Sequence, residues 1–254
     1  MNSAAAKYDG VKSILRYNAP YYVQSACILV VLGATLALIH TPLAFRLTLF
    51  VIAGLAAFWT LISLLASYYV YDYIGVTRWN WIPAAISFPP RRWVNLHAGL
   101  DDSTQKLAAF FPDSEHIVLD VYDPLEMTER SIARARQERR FAEPPNQARL
   151  DALPLTDDSC DAVFLLFSAH EIRNPKRRLD FFVELARILA PPGELLLVEH
   201  LRDWKNFVAF GPGCLHFFSR SDWLRVATQA GLVITQENSI TPLVRCFFMQ
   251  KRAA

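Results

Sequence analysis

Cysteine and charge are both scarce in this sequence. It holds only four cysteines, Cys27, Cys160, Cys214 and Cys246, and no two of them form a CxxC pair. This spacing argues against a zinc knuckle or a disulfide scaffold, and it suits buried thiols in a reducing compartment. Charged residues make up 20% of the 254 residues and hydrophobic residues 53%. That balance is too apolar for a disordered chain and high for a purely soluble one.

The few charges are also unevenly placed. Residues 1–80 carry five Lys/Arg and two Asp, which leaves 21 basic and 22 acidic residues in the rest of the chain. The larger part is therefore close to neutral, which argues against a nucleic-acid-binding protein. Only nine glycines are present and none forms a GxGxxG fingerprint. A nicotinamide oxidoreductase is disfavoured for that reason.

Two long uncharged runs lie near the N-terminus. Tyr21–Ile39 and Leu47–Tyr71 are each long enough for the ~20 residues that cross a bilayer, and only His40–Arg46 separates them. So short a link predicts an antiparallel transmembrane hairpin. Basic residues precede the first run and follow the second, whereas the link holds only Arg46. The positive-inside rule then predicts that both termini are cytoplasmic.

Two other interpretations of these runs stay open. The first run could be a cleaved signal peptide, although its apolar core exceeds the usual length of about 7–15 residues. The pair could be a core hairpin of a soluble protein, although neither run has a polar face at helical spacing. We predict a cytoplasmic N-terminal segment (1–20), a transmembrane hairpin (21–72), an interfacial linker (73–90) rich in Tyr and Trp, and a cytoplasmic domain (91–254). Small residues such as Gly33 and Gly54 would permit homo-oligomers through the spans.

The rest of the chain alternates predicted strands with predicted helices. The strands are RWVNLHAG, HIVLDVYD, CDAVFLLFSAHEI, PPGELLLVEHL, VITQEN and PLVRCFFMQKR. The helices are DDSTQKLAAFFP, PLEMTERSIARARQERR, PKRRLDFFVELARILA and SRSDWLRVATQAGL. This order predicts an α/β fold whose mostly parallel sheet has helices on both faces and closes with an antiparallel strand. In such sheets a ligand binds at the carboxyl ends of the strands.

Four stretches in order resemble the motif series of the class I S-adenosylmethionine-dependent methyltransferases. They are NLHAGLD (95–101), ALPLTDDSCDAV (152–163), RILAPPGELLLVE (187–199) and HFFSRSDWLRVATQAGL (216–232). The resemblance runs from about Arg91 to the C-terminus and implies a Rossmann-like methyltransferase sheet. It also implies S-adenosylmethionine as the cofactor and S-adenosylhomocysteine as the product.

The resemblance further implies a set of cofactor-binding residues. They are Asn95, His97, Gly99, Asp101, Asp123, Asp151, Ala152 and Ser168. Gly99 is the one glycine left of the family's glycine-rich turn, and it would let the backbone approach the ligand closely. Asp123 corresponds to the acid that binds both ribose hydroxyls, with Asp120 as the reserve choice.

Histidines are the candidate catalytic groups. Methyl transfer to a hydroxyl or thiol needs the proton to be removed, and a base near neutral pH suits this step. The candidates are His170, at the end of the predicted strand CDAVFLLFSAHEI, and His216, in a loop from Phe207 to Phe218. Phe207, Phe210, Phe217 and Phe218 could wall an apolar pocket there. His200, at the end of the next strand, is a weaker candidate. Each could instead be a hydrogen-bonded structural residue.

No metal site is predicted. The sequence has no HExxH motif. His170 and Glu171 are adjacent, and adjacent residues of a strand face opposite sides of the sheet.

Two functions remain in view at this point. The first is a membrane-anchored methyltransferase that acts on a lipophilic small molecule or lipid, since a two-span anchor would hold the active site beside the bilayer. The alternative is a catalytically degenerate domain that serves as a membrane-bound binding or scaffold protein, and the reduced glycine motif favours it. Both have membrane lipid as a partner and no nucleic acid.

Overall fold

Helices occupy the N-terminal third of the computed structural model, which describes residues 8–40, 42–99, 101–138 and 146–252. They are α1 (Asp9–Tyr17), α2 (Ala19–Leu38), α3 (Leu43–Ser67) with a π-helical extension (Tyr68–Tyr73), a 3₁₀ turn (Val76–Arg78) and α4 (Ile82–Ala85). The sheet begins after α4.

Helices α2 and α3 pack side by side as the predicted hairpin. They are joined by a hydrogen bond between the hydroxyls of Ser25 and Thr60 (2.7 Å). Two segments are long and apolar enough to cross a membrane, Ala19–Leu38 and Leu43–Arg78, with mean hydropathies of 1.8 and 2.3. Arg46, which was expected in the link, lies in the first turn of α3. The link is thus shorter than predicted, because α3 begins at Leu43, directly after Pro42.

Helix α1 was not predicted, because its residues were assigned only to an N-terminal segment. The carboxylate of Asp72 accepts hydrogen bonds from the backbone N–H groups of Gly10 (2.7 Å) and Val11 (2.8 Å). These groups have no partner within their own helix, and a carboxylate beside them stabilises the helix start. At the other end, the Arg134 guanidinium donates to the Tyr17 carbonyl (2.6 Å). Helix α1 is therefore hydrogen-bonded to both the hairpin extension and the α/β domain.

The sheet has six strands among the described residues, in the spatial order β2-β1-β3-β4-β6-β5. The strands are β1 (Arg92–His97), β2 (Glu115–Asp120), β3 (Cys160–Leu166), β4 (Leu189–His200), β5 (Leu232–Thr241) and β6 (Val244–Lys251). The pairs β1–β2, β1–β3 and β3–β4 are parallel, and β6 is antiparallel to both of its neighbours. The mostly parallel α/β fold with an antiparallel closing strand is thus confirmed.

Five helices complete the domain in the described part of the chain: α5 (Thr104–Phe110), α6 (Arg130–Glu138), α7 (Pro175–Ile188), α8 (Trp204–Phe210) and α9 (Arg220–Gln229). Helix α6 was expected to begin at Pro124, but it begins at Arg130. The Asp123 carboxylate instead accepts the N–H of Leu125 (2.9 Å), and such local bonds favour a turn over a helix.

The segment between β4 and α9 was expected to be a loop, but it is mostly helical. Helix α8 is capped by the Asp203 carboxylate, which accepts the Asn206 N–H (2.9 Å). A 3₁₀ helix (Gly211–His216) follows directly. The proline and glycines at 211–213 bend the chain without preventing helical turns.

The connection between the hairpin and the sheet is buried. Val70, Trp79 and Ile82 have no exposed surface and pack in one cluster with Phe164 and Phe248 of the sheet. The expectation that Trp79 sits at the membrane interface is therefore wrong: its side chain belongs to the core of the α/β domain. A second core cluster covers the opposite face of the sheet, under α7 and α9. The end of the hairpin is thereby packed against the domain.

Candidate active site

Among the residues that the structure describes, two cavities lie at the carboxyl ends of the parallel strands. The larger has a volume of about 680 Å³ and the smaller about 190 Å³. The larger cavity is walled on one side by the hairpin and on the other by the α/β domain. Both cavities are lined by Ile14, Asn18, Ser131, Phe167, His170 and Glu171. These shared residues mark the centre of the candidate site.

The turn after β1 depends on Gly99. Its φ of +95° lies in the region that favours glycine, and an added Cβ would collide with the Arg136 side chain. The Gly99 N–H donates to His97 Nδ1 (3.0 Å). His97 therefore shapes the turn through its ring, while Ala98 beside it lines the smaller cavity.

Asn95 and Asp101 hold this turn from inside the protein. The buried Asn95 amide donates to Asp101, Ser103 and Thr104. The Asp101 carboxylate accepts the N–H groups of Ser103 (3.1 Å) and Thr104 (2.9 Å) at the start of α5. Burial opposes ionisation of Asp101, but the hydrogen bonds from Thr104 outweigh it and lower the pKa of Asp101. Both residues position the turn, and neither lines the described cavities.

Asp120 and Asp123 occupy different environments. Asp120 ends β2 with a fully buried side chain and pairs with Arg136 (2.7 Å). Asp123 lies three residues further on, is partly exposed and pairs with Arg177 (2.9 Å). Asp120, the reserve choice as the ribose partner, lies at the strand end itself, where Arg136 pairs with it. Neither acid lines a described cavity.

The other residues expected near the cofactor are dispersed. Ser168 is buried, lines the smaller cavity and donates to the Leu96 carbonyl (2.9 Å). Asp151 is paired with Arg149 (2.9 Å), and Ala152 is exposed beside it. Of the residues expected to contact adenine, neither Asp151 nor Ala152 lines a described cavity.

His170 and Glu171 lie in a 3₁₀ turn (Ala169–Glu171), not in a strand. The expectation that they face opposite ways is therefore wrong. His170 Nε2 lies 3.0 Å from Glu171 Oε1, and His216 Nε2 lies 3.7 Å from the same oxygen. The two candidate histidines thus meet at one carboxylate. Arg173 helps to hold them there, because its guanidinium donates to the carbonyls of both His170 and His216.

The charges of this cluster are strongly coupled. Burial lowers the pKa of His170, but the carboxylates of Glu199 and Glu171 outweigh burial and raise it well above its usual value. Burial raises the pKa of Glu171, yet the His170 cation outweighs it and lowers that pKa far below the usual range. The ion pair is the stable form of the cluster.

Both ring nitrogens of His200 are hydrogen-bonded within the protein. Its Nδ1 donates to the Leu243 carbonyl (2.9 Å), so its Nε2 accepts from the Tyr71 hydroxyl (2.8 Å). Burial lowers the pKa of His200 to about 4. The neutral ring also stacks on Phe217, at 5.0 Å between centroids. His200 therefore links the π-helical extension of the hairpin to β4 and is not available as a base.

The phenylalanines around the site divide into two groups. Phe210 and Phe217 line the larger cavity, as does Phe167. Phe207 instead packs edge-on against Trp59 of α3, at 5.6 Å between centroids. Phe218 packs against Trp223 and under Arg178. Two of the four expected residues thus form the apolar wall, and one joins α8 to the hairpin.

Sequence reasoning missed the polar wall that the hairpin adds to the site. The larger cavity is lined there by Tyr22, Ser25, Thr60, Ser63, Ser67 and Tyr71. Thr60, Ser63, Ser67 and Tyr71 recur three or four residues apart, so they share one helical face. That spacing within an apolar run is the signal that could have found them, since polar residues of membrane spans face a cavity or the bundle interior.

Comparisons with known proteins agree with this fold. The model of the methyltransferase domain family matches residues 106–197. A Pyrococcus horikoshii protein, PH0226, aligns with a TM-score of 0.52 and 12% identity over 72% of this chain and 91% of its own. Human N-acetylserotonin methyltransferase, solved with S-adenosylmethionine, aligns with a TM-score of 0.50 and 15% identity over 77% of this chain and 56% of its own. A methyltransferase from Aquifex aeolicus aligns with a TM-score of 0.48 and 15% identity over 63% of this chain and 81% of its own. No curated protein sequence matches significantly.

Residues 106–197 carry the match to the methyltransferase domain family, and this match supports S-adenosylmethionine as the cofactor. The residues present fit this cofactor: a glycine turn with positive φ ends β1, and a buried carboxylate ends β2. Gly99 and Asp120 would hold it, with Ala98 and Ser168 lining the adjoining cavity. When bound, the cofactor supplies an electrophilic methyl group on a sulfonium. Arg136 contacts both Gly99 and Asp120 in the structure.

Proposed function

We propose that this protein is a membrane-anchored methyltransferase that acts on a lipophilic small molecule or lipid. The observation that carries the proposal is the 680 Å³ cavity, which the hairpin and the methyltransferase domain line together. Apolar molecules concentrate in a bilayer through the hydrophobic effect. A pocket with one wall made by helices whose outer faces are apolar suits an acceptor that arrives from the bilayer.

The surface of the hairpin supports the membrane anchor. Val30, Leu38 and Leu61 expose 70%, 79% and 63% of their surface, whereas a core helix of a soluble protein would bury such residues. The signal-peptide interpretation is disfavoured, because Tyr22 and Ser25 of α2 line the cavity. Gly33 and Gly54 have open space around their Cβ positions, which supports the proposal of homo-oligomers through these helices.

The proposed topology has both termini and the catalytic domain in the cytoplasm. Lys12 and Arg16 lie on α1 at one end of the hairpin and Arg78 follows at the same end. We expect a cysteine placed at His40 to react with an impermeant reagent from outside, and a cysteine placed at Lys251 to be protected. The reverse pattern would contradict the topology, and with it the access of cytosolic cofactor.

The proposed chemistry places proton removal at the end of the larger cavity. His216 and His170 meet there at Glu171, beside the aromatic wall of Phe210 and Phe217. We propose that the two histidines assist deprotonation of an acceptor hydroxyl or thiol. His216 is partly exposed and lines the larger cavity, so an acceptor in that cavity can reach its ring.

The function is tested with the full chain in lipid nanodiscs. S-adenosylhomocysteine release is measured for matched acceptors that share one hydroxyl or thiol and differ in an added charged group. We expect the uncharged, bilayer-partitioning member of each pair to have the higher kcat/KM. Preference for the charged member would overturn the membrane-side acceptor, and cofactor binding without turnover of any acceptor would favour the scaffold alternative.

A further inference from the structure

His170, Glu171 and His216 have a geometry that the methyltransferase fold does not require. The donor atoms of these three side chains all lie within 4.8 Å of one another. Two imidazole nitrogens and one carboxylate are the ligands of many zinc sites and of other divalent transition-metal sites. We propose that these three side chains bind a divalent transition-metal ion of the Zn²⁺ type at the end of the larger cavity.

The orientation of both rings supports this assignment. His170 Nδ1 donates to Glu199 Oε2 (2.7 Å), and His216 Nδ1 lies 3.3 Å from Glu129 Oε1. Histidines that bind metals characteristically donate the second ring N–H to a carboxylate, carbonyl or water, which fixes the tautomer. Here each histidine has a carboxylate on Nδ1. Both Nε2 atoms therefore point towards Glu171.

Glu171 gives a second, independent indication. The residue is buried, with 5% of its surface exposed, and its Oε2 has no hydrogen-bond partner among the residues that the structure describes. A buried carboxylate oxygen without a partner is costly. Since Glu171 lines both cavities, a bound cation would satisfy this oxygen without moving the backbone.

The charge around the cluster also suits a divalent cation. Metal-bound histidines must be neutral, which leaves the three carboxylates of Glu129, Glu171 and Glu199 against the guanidinium of Arg173. The groups in contact with the cluster then carry two unbalanced negative charges. A divalent ion would neutralise them, and it would replace the proton that otherwise holds His170 and Glu171 together.

A metal here would take over proton removal, and this consequence rests on the proposed function. A hydroxyl or thiol bound to such an ion ionises more readily. Its proton would pass to Glu129, which is partly exposed. The acceptor oxygen or sulfur would then form a bond to the methyl carbon. The carbon–sulfur bond of the cofactor would break with its electron pair left on sulfur.

Metal binding is tested without any acceptor. The full-length protein, purified in detergent without a histidine tag and treated with a chelator, is titrated with Co²⁺. We expect one equivalent to bind with a visible d–d absorption, and Zn²⁺ to displace it. Glu171→Gln and His216→Ala should each weaken binding at least 100-fold. Glu129→Gln should weaken it by roughly 10–100-fold, as for other partners of metal-bound histidines.

His116→Ala is the matched control, because His116 stacks on Trp93 at the other end of the sheet. Its Co²⁺ affinity should equal that of the native protein. Calorimetry with S-adenosylmethionine reports whether each variant is folded. Equal Co²⁺ affinity in the native protein and in Glu171→Gln, or no binding to the native protein, would overturn the site.

Failure of the metal site and failure of the proposed function give different results. If one equivalent of Co²⁺ binds through Glu171 but no acceptor is methylated, the site stands and the function fails. If the metal-free protein methylates an acceptor at the same rate as the metal-loaded protein, the function stands and the role of the metal is overturned.

Discussion

The hairpin and the methyltransferase domain bury opposite kinds of side chain. In α2 and α3 the large apolar residues face outwards, while the hydroxyls of Ser25 and Thr60 bond to each other at the cavity. In the domain, Phe164 and Leu197 are fully buried. The proposed anchor requires this inversion, because lipid solvates apolar side chains and water does not. The larger cavity lies where the polar face of the hairpin meets the polar centre of the domain.

The largest effect should come from the domain side of the cavity. His216→Ala and His170→Ala should each lower turnover by a factor of about 10²–10⁴, because proton removal from the acceptor is lost. Cofactor affinity should stay within about twofold in His216→Ala, since His216 lies beyond the strand ends that would hold the cofactor. The measurements are S-adenosylhomocysteine release and titration calorimetry, with His116→Ala as the control. If both variants turned over at the native rate, neither histidine would be needed for proton removal.

The cofactor residues should give the next largest effect. Gly99→Val puts a branched side chain against Arg136 in a backbone conformation that suits glycine, and Asp120→Asn removes a charge-assisted hydrogen bond worth about 1.5–3 kcal/mol. Either change should weaken S-adenosylmethionine binding by roughly 10–100-fold.

Asp123→Ala separates the two candidate ribose partners. We expect a smaller loss of cofactor affinity than for Asp120→Asn, because Asp123 already pairs with Arg177 away from the strand end. A larger loss of cofactor affinity in Asp123→Ala than in Asp120→Asn would identify Asp123 as the ribose partner, as the sequence first implied. Thermal unfolding of each variant separates lost binding from lost stability.

The junction between the two regions should be sensitive to acid. The folded-state pKa of His200 is about 4, below its unfolded value of about 6.5. Between these values the unfolded chain binds more protons, so stability falls as the pH falls. Between pH 7 and 5.5, protonation of His200 in the unfolded chain should lower the free energy of unfolding by about 1 kcal/mol. His200→Gln should lose that part of the pH dependence of the unfolding midpoint. An unchanged slope would show that His200 is not the group responsible.

The smallest effect should come from the hairpin side. Thr60→Val removes a hydroxyl from the cavity, and we expect KM for the acceptor to rise about two- to fivefold, the value of one modest hydrogen bond. Thr48→Val is a matched control, because Thr48 also bonds to the carbonyl four residues earlier but is exposed on the outer face. Equal KM values for the two variants would contradict a substrate route along the hairpin.

The central strands were predictable because each is a short apolar run bounded by turn residues. Cys160–Leu166 and Leu189–His200 are buried on both faces, as central parallel strands must be. Helix starts were less predictable. Asp123 and Pro124 resemble a helix start, but the Asp123 side chain closes a local turn and delays α6 to Arg130.

The candidate site was predictable only in part. Gly99 and Ser168 could be inferred because motif order fixes which strand end they follow, and the structure puts both near the smaller cavity. The position of Arg136 could not be inferred. An arginine on a predicted helix is typical of an exposed surface, and nothing in the sequence indicates that this one lies over Gly99 and Asp120.

The sequence by itself determined the two apolar helices and the order of strands and helices, because both follow from the length and period of hydrophobic runs. Only the tertiary structure decided which side chains meet. His170 and Glu171 face the same way because a 3₁₀ turn replaces the expected end of a strand, and His216 joins them because a helical segment crosses back over the strand ends. Contacts between residues distant in sequence depend on how the elements pack, and no local pattern records that.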